Sequence, residues 1–155
     1  MIFIHYGASR YDPNKFKPIK NRPISVKPEG GLWASPLGAE YGWKEWCEGN
    51  EFHVERLENS FQFTLAENAN ILIIRSADQL HDLPQAKQDF DMGKNAWVCL
   101  DFEKLATDGA DAILVDISGD VTDDIKMEGL YWKLYGWDCD SIIILNKEAI
   151  HGFRS

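Results

Sequence analysis

Cysteine is scarce in this chain, and the few residues present form no pattern. Cys47, Cys99 and Cys139 are odd in number and lie far apart in the sequence. Disulfide frameworks use even sets of cysteines, and cysteine metal sites use short Cys-x-x-Cys spacings, so neither is indicated. We therefore expect a reducing environment and a cytoplasmic location.

Long hydrophobic runs are also missing. No stretch of the sequence approaches the ~18 consecutive apolar residues that a membrane-spanning helix requires. Residues 1–5 lack the basic start and the longer apolar core of a signal peptide. We therefore expect no secretory leader and no membrane among the partners.

Basic residues are in the minority, because 16 Lys and Arg stand against 25 Asp and Glu and give a net charge of -9. Affinity for a nucleic acid backbone depends on cations that displace counterions, so we expect no binding to duplex nucleic acid. The exception is a basic stretch made of Lys15, Lys17, Lys20, Arg22 and Lys27. It is typical of a solvated loop, and the alternative is a site for a phosphorylated ligand.

The motifs of several enzyme classes are absent as well. The chain has neither a glycine-rich phosphate loop nor a Gly-x-Ser-x-Gly sequence. No His-x-x-x-His spacing occurs among the four histidines, His5, His53, His81 and His151. The spacing of a calcium loop is missing from the acidic residues around Gly119, namely Asp116, Asp120, Asp123 and Asp124. We predict no metal and interpret the acidic cluster as a solvated turn.

Aromatic side chains, by contrast, are abundant. Six Trp, five Tyr and eight Phe make up 12% of the 155 residues, and several cluster at residues 33–46 and 131–137. Such clusters serve either as core or as stacking platforms for flat ligands. A chain of this length is expected to form one core, and hence a single domain over residues 1–155.

Short apolar runs predict strands at residues 2–5, 32–35, 61–65, 71–74, 112–117 and 141–145. The strands at 61–65 and 71–74 are expected to pair in an antiparallel manner, since only a short turn separates them. The spacing predicts short helices at residues 40–47, at 77–81 and after Asp101. Few helices in irregular places favour an α+β domain over a doubly wound sheet.

Other segments carry weaker signals. Evenly spaced prolines in residues 13–28 predict a long loop. Residues 87–95 are polar and are expected to be irregular, and residues 97–100 are expected to be extended. The conformation of residues 131–135 stays open.

Three segments resemble the polymerase-like branch of the ADP-ribosyltransferase superfamily. The sequence HYGASR at residues 5–10 is similar to the His-Gly motif that ends the family's first strand. Gly31-Leu32-Trp33 is similar to the family's Gly-Ile-Tyr strand, and an acidic residue before an apolar run at 140–146 resembles its late strand. The resemblance implies an ADP-ribosyltransferase-like split, mixed β-sheet with short helices, and NAD bound as substrate between the two halves.

The resemblance also implies roles for residues of the first two motifs. In the family, the histidine binds a ribose hydroxyl of NAD and the adjacent backbone holds the nicotinamide amide, which assigns these tasks to His5 and to Tyr6 or Gly7. Trp33 would replace the family's tyrosine against the nicotinamide ribose or ring. Because indole is only a donor, Ser35 on the same side of the strand would supply the lost polar contact. The alternative for His5 is a satisfied core histidine.

A second aromatic ring sandwiches nicotinamide in the family. Tyr41, Trp43 and Trp46 are the candidates, and Trp43 lies nearest to the expected position. The alternative is that all three form the apolar face of one helix.

The family's catalytic glutamate corresponds to Asp140, with Asp138 two residues earlier. Aspartate is shorter by about 1.5 Å, and a misplacement on that scale costs about a hundredfold in rate. Two carboxylates on one face are expected to raise the pKa of one of them. The alternative is a pair of turn residues before a strand. The catalytic candidates are thus His5, Trp33 and Asp140, and the NAD-binding candidates are Tyr6, Gly7, Ser35, Trp43 and Asp138.

The function implied by the resemblance is NAD-dependent ADP-ribosyl transfer with release of nicotinamide, to an acceptor that the sequence does not identify. One alternative is a catalytically inactive module on the same fold that binds NAD, ADP-ribose or a protein. Another is RNA 2′-phosphate transfer to NAD, which would need a basic groove beyond the one basic stretch.

Overall fold

A computed structural model describes residues 1–87, 97–118 and 129–154. Seven strands form one sheet in the order β6-β7-β8-β4-β1-β5-β9, and β2 and β3 form a separate hairpin. The strands are β1 (Ile2–Tyr6), β2 (Lys20–Arg22), β3 (Ser25–Glu29), β4 (Leu32–Pro36), β5 (Ser60–Leu65), β6 (Ile71–Ile74), β7 (Ala112–Val115), β8 (Ser141–Ile144) and β9 (Ile150–Arg154).

The helices are short. The α-helices are α1 (Trp43–Gly49), α2 (Phe102–Thr107) and α3 (Leu130–Lys133). Single 3₁₀ turns cover Pro13–Lys15, Val54–Glu58, Ala77–Asp82 and Lys147–Ala149. Within the described ranges, no helix has the length and apolar character needed to cross a membrane.

The sheet is mixed, because β6 and β7 are parallel while every other neighbouring pair is antiparallel. One hydrophobic core lies on each face of the sheet. Trp137, Phe102 and Ile143 belong to one core, and Phe3, Phe63 and Ile142 belong to the other. The predicted α+β class is confirmed, and so is the mixed sheet with short helices.

The predicted pairing of residues 61–65 with 71–74 is wrong. β5 lies between β1 and β9, so both of its edges are occupied. β6 instead lies parallel to β7, where Asn70 N–H donates to the Asp111 carboxylate at 2.8 Å at the start of the two strands. The continuous apolar run of β6 is typical of a strand that is buried between layers rather than of a hairpin strand.

Other predictions need correction in detail. The proline-rich loop contains the β2–β3 hairpin, in which Pro28 sits on a strand that pairs only with β2 within the described part of the chain. Strand β9 lies in a segment for which no strand was predicted, and residues 131–133 belong to helix α3. Residues 97–100 make only an isolated bridge, between Leu100 and Gln85. The predicted irregular segment 87–95 and most of the acidic cluster around Gly119 lie outside the described residues.

Strand β4 divides the sheet into two halves. Leu32, Trp33 and Ala34 pair with β8, whereas the last two residues of β4 pair with β1 on the other side. The β1–β4 ladder stops where Ile4 pairs with Ser35, so β1 continues beyond it without a partner on β4. We call the resulting gap between the end of β1 and Trp33 the fork.

Candidate functional site

The fork opens into a cavity of about 430 Å³. This volume lies within the range of small-molecule sites in proteins. The first strand, β4, the segment before β8, the β2–β3 hairpin and the stretch from α1 to the following 3₁₀ turn all contribute to it. The residues that line it are Ile4, His5, Tyr6, Gly7, Lys27, Trp33, Ala34, Ser35, Trp43, Phe52, His53, Arg56, Trp137, Asp138, Cys139 and Ser141.

The backbone of Tyr6 faces the fork. The Ile2 carbonyl accepts from Leu37 N–H on the β4 side at 2.9 Å, and Gly7 N–H donates to the Asn59 carbonyl on the β5 side at 2.8 Å. Backbone groups along a strand alternate between its two edges, so the N–H and C=O of Tyr6 point to the β4 side. No residue of β4 is in register with Tyr6, and these two groups therefore face the cavity.

His5 is held by one hydrogen bond across the fork. Its Nδ1 lies 2.7 Å from the Trp33 carbonyl oxygen. A carbonyl oxygen can only accept, so Nδ1 carries the proton and donates it, which leaves Nε2 as an acceptor in the neutral ring. Burial lowers the pKa of His5, and the hydrogen bond to Trp33 opposes that shift in part. His5 is thus a neutral acceptor at physiological pH.

Trp33 lines the cavity, but its ring is already engaged. Trp137 packs against it at a centroid distance of 4.7 Å in an edge-on arrangement. The Lys27 ammonium lies 5.3 Å from the Trp33 ring centroid, within the range of a cation–π contact. A ligand ring that stacked on Trp33 from the side of Lys27 would have to displace this ammonium. Trp33 is therefore a wall of the cavity and an anchor for Lys27.

Ser35 positions α1. Its side chain is buried, and its Oγ accepts from Trp43 N–H at 2.9 Å. The bond satisfies one of the unpaired N–H groups at the start of α1. Glu45 completes this end of the helix by accepting from Gly42 N–H at 3.0 Å. The polar contact predicted for Ser35 is therefore already made to the protein, and its effect is to hold Trp43 at the cavity.

The stretch from α1 to the following 3₁₀ turn contributes four rings and one cation. We call this set the aromatic wall, and it consists of Trp43, Trp46, Phe52, His53 and Arg56. Trp43 and Trp46 stack at a centroid distance of 5.1 Å. Phe52 contacts both indoles edge-on, and the His53 ring lies 4.2 Å from the Phe52 ring. Of the three candidates for the second ring, Trp43 lines the cavity, whereas Tyr41 and Trp46 do not.

The carboxylate of Asp140 does not reach the cavity. It is buried, and one of its oxygens accepts from Ile117 N–H at 2.7 Å and from Ser118 N–H at 2.9 Å. Burial raises the pKa of Asp140, and the neighbouring charge that adds to the shift is Asp116 rather than Asp138. Asp138 lines the cavity in its place. The two aspartates therefore have separate environments, one structural and one open to a ligand.

Several lining residues were not among the sequence candidates. Phe52, His53 and Arg56 belong to no motif, whereas Lys27 was named only within the basic stretch, as part of an alternative site for a phosphorylated ligand. Cys139 also lines the cavity, but burial raises the pKa of its thiol to about 12, so it is protonated at neutral pH and is a poor nucleophile.

The charge of the lining differs from that of the whole chain. Lys27 and Arg56 are the cations and Asp138 is the carboxylate of the lining, whereas the chain carries a net charge of -9. In comparisons with known proteins, no protein family, no curated protein and no solved structure matches this chain. The geometry of the cavity is therefore the basis for a functional proposal.

Proposed function

We propose that the chain binds NAD in the fork and transfers the ADP-ribosyl group to a nucleophilic acceptor, with release of nicotinamide. The observation that carries the proposal is the backbone of Tyr6. An unpaired N–H and C=O of one strand residue form a donor and acceptor pair that complements a primary carboxamide, and nicotinamide carries this group. The register of β1 with its neighbours favours this pair over the backbone of Gly7, whose N–H bonds to Asn59.

His5 supports the same ligand. Its Nε2 accepts hydrogen bonds, because Nδ1 donates to the Trp33 carbonyl. A ribose hydroxyl is a donor that would match it. The carboxamide partner and the ribose partner are thus neighbours on one strand, as the two parts of a nicotinamide nucleoside require.

The charges of the cavity suit an anionic dinucleotide whose one positive charge moves from the pyridinium to the ribose during reaction. Lys27 and Arg56 offer positive charge to a pyrophosphate. As the C1′–N bond breaks, its electron pair leaves with nicotinamide, and the pyridinium departs as a neutral ring without taking up a proton. The ribose becomes an oxocarbenium-like cation, which the Asp138 carboxylate would stabilise until the acceptor bonds to C1′.

The experiment compares two aspartate variants of the full chain. We expect calorimetry to show saturable NAD binding, and chromatography to show nicotinamide release that falls about a hundredfold in Asp138→Asn. Asp140→Asn is the matched control, because its amide oxygen can still accept from Ile117 and Ser118 and release should be retained. Absence of NAD binding at about millimolar concentration would contradict the proposal.

The second candidate is a module that binds NAD without turnover. Asp140, which aligns with the family's catalytic acid, is used to hold Ile117 and Ser118, and this observation favours the second candidate. The same assays separate the two. NAD binding with no nicotinamide release in the wild-type chain would support the binding module and contradict the transferase.

A further inference from the structure

The aromatic wall exposes one apolar ring to the cavity. Phe52 is 42% exposed. Among the described residues, no other large hydrophobic side chain that lines the cavity is as exposed. Tyr6, Trp33 and Trp43 are half-buried, and Trp137 is buried. An exposed ring inside a ligand-sized cavity costs hydrophobic free energy that a stacked ligand would recover.

The backbone on both sides of Phe52 is strained into this position. Glu51 has φ 52° and His53 has φ 47°, both in the left-handed region that non-glycine residues rarely adopt. Backbone strain of this kind clusters at ligand sites. Phe52, which lines the cavity, thus lies between two residues in an unfavourable backbone conformation.

Arg56 lies four residues after Phe52 and lines the same cavity. Among the described residues, no carboxylate oxygen lies within 4.0 Å of its guanidinium, since the ion pairs are made by Lys44, His53, Arg75 and Lys104. The neighbouring Glu55 carboxylate lies 3.1 Å from Nδ1 of His53. The guanidinium is therefore available to an anion from outside the protein.

We infer that Phe52 and Arg56 form a second subsite, which binds the adenosine phosphate half of the dinucleotide. The aromatic ring supplies a stacking face for a purine base, and the guanidinium supplies paired donors to a phosphate. The inference rests on the proposed function for its choice of ligand. It fixes the direction of NAD in the cavity, with nicotinamide at Tyr6 in the fork and adenine at the aromatic wall.

The test uses AMP, nicotinamide and NAD as separate probes in calorimetry with the full chain. Phe52→Ala and Arg56→Gln are expected to weaken AMP and NAD about tenfold and to leave nicotinamide unchanged. Phe52→Leu keeps apolar volume without a ring and should weaken AMP as well, and a thermal melt of each variant reports whether it is folded.

Two variants serve as matched controls. Val54→Ala changes a side chain that is 43% exposed and does not line the cavity. Arg10→Gln removes an exposed cation close to the fork in sequence that does not line the cavity either. Both are expected to bind all three probes like the wild-type chain.

The outcomes of these experiments distinguish the second subsite from the proposed function. Binding of NAD and AMP that is unchanged in the Phe52 and Arg56 variants would overturn the second subsite and leave the proposed function in place. Binding of AMP that depends on both residues, with no binding of nicotinamide or NAD, would support the subsite and overturn the proposed function. If the wild-type chain binds neither AMP nor NAD, both proposals are overturned.

Discussion

His5 is fixed in one tautomer by its bond to the Trp33 carbonyl, and this bond decides what the residue offers a ligand. Protonation of Nε2 would turn the acceptor into a donor and place a positive charge against a half-buried wall. The lowered pKa keeps the ring neutral and preserves the acceptor. The neutral ring that burial favours is therefore also the form that can accept a hydrogen bond from a ribose hydroxyl.

This arrangement makes two effects of His5 measurable. Because burial lowers its pKa below the ordinary value of about 6.5, the unfolded chain binds more protons than the folded chain between the two pKa values. The His5 contribution to stability is therefore present above about pH 6.5 and is lost as the pH falls through the folded pKa. We expect nitrogen-detected NMR to show a proton on Nδ1, none on Nε2, and a pKa below 6.5.

A His5→Asn variant serves as the control, because it cannot titrate in this range. The free energy of unfolding of the wild-type chain, minus that of the variant, should fall as the pH is lowered from about 7 to about 5. A constant difference would contradict the lowered pKa, and a proton on Nε2 in place of Nδ1 at neutral pH would contradict the assigned tautomer.

At the scale of elements, β4 determines the site because it pairs with β8 and β1 along different parts of its length. Its start depends on Gly31, which has φ 68°; an added Cβ there would lie 2.7 Å from the Ile144 carbonyl oxygen. This close approach allows the first residues of β4 to join β8. The glycine thus favours the pairing with β8 that leaves Tyr6 without a partner on β4.

We expect Gly31→Ala to lower the free energy of unfolding by more than the about 1–3 kcal/mol of a left-handed residue alone. Gly38→Ala is the matched control, since Gly38 has φ 79° and an added Cβ would meet no atom within 4 Å. Denaturant titration of both variants measures the difference, which isolates the clash with Ile144. Equal losses in the two variants would show that the approach to β8 carries no energetic weight.

The helices show why part of the site could be predicted and part could not. Asp101 caps α2 as its sequence predicts, because capping depends on residues within one turn. The role of Asp140 depends on Ile117 and Ser118, which lie more than 20 residues away in the chain. Sequence order placed Asp140 and Asp138 on one face, whereas long-range hydrogen bonds give them separate environments.

The same distinction applies to the strands. Apolar runs located most of the strands of the sheet to within a few residues, since burial leaves a local signal. Partner choice has no such signal, and β5 therefore pairs with β1 and β9 rather than with the strand that follows it. The fork exists because β4 pairs with β8 and β1 along different parts of its length, and the choice of strand partner has no local sequence signal. His5 and Tyr6 could therefore be proposed from sequence only through a family resemblance.

At the scale of the whole molecule, the site is a locally cationic cavity in an acidic protein. For the dinucleotide that we propose as ligand, the net charge of -9 would oppose approach at long range, whereas Lys27 and Arg56 would attract it once it has entered. Screening acts over about 10 Å at 0.1 M salt. Salt should therefore change the association rate through the net charge of the chain, and the dissociation rate through Lys27 and Arg56.

We expect the association rate constant of NAD to rise a few-fold between about 20 mM and about 200 mM salt, because screening removes the repulsion. The dissociation rate constant should rise over the same range, because the contacts to Lys27 and Arg56 weaken. Stopped-flow measurements of tryptophan fluorescence can follow both, since Trp33 and Trp43 line the cavity. Uncharged nicotinamide is the control and should show neither trend.

A fall in the association rate constant with salt would mean that the cavity cations dominate the field that an approaching ligand experiences. In that case the acidic surface would have no part in selecting ligands. The direction in which salt changes the association rate constant thus shows whether attraction by the cavity cations or repulsion by the acidic surface is the larger effect.

The unpaired backbone of Tyr6 has a consequence for sequence variation at this position. A contact made through N–H and C=O is independent of the side chain, so a molecule bound there completes the β1–β4 ladder in the way that a neighbouring strand would. Any residue that keeps β1 extended should preserve it, with proline excluded because it has no N–H. We therefore expect the residue type at position 6 to be free to vary in evolution, although its backbone is the group that we expect to contact the ligand most closely.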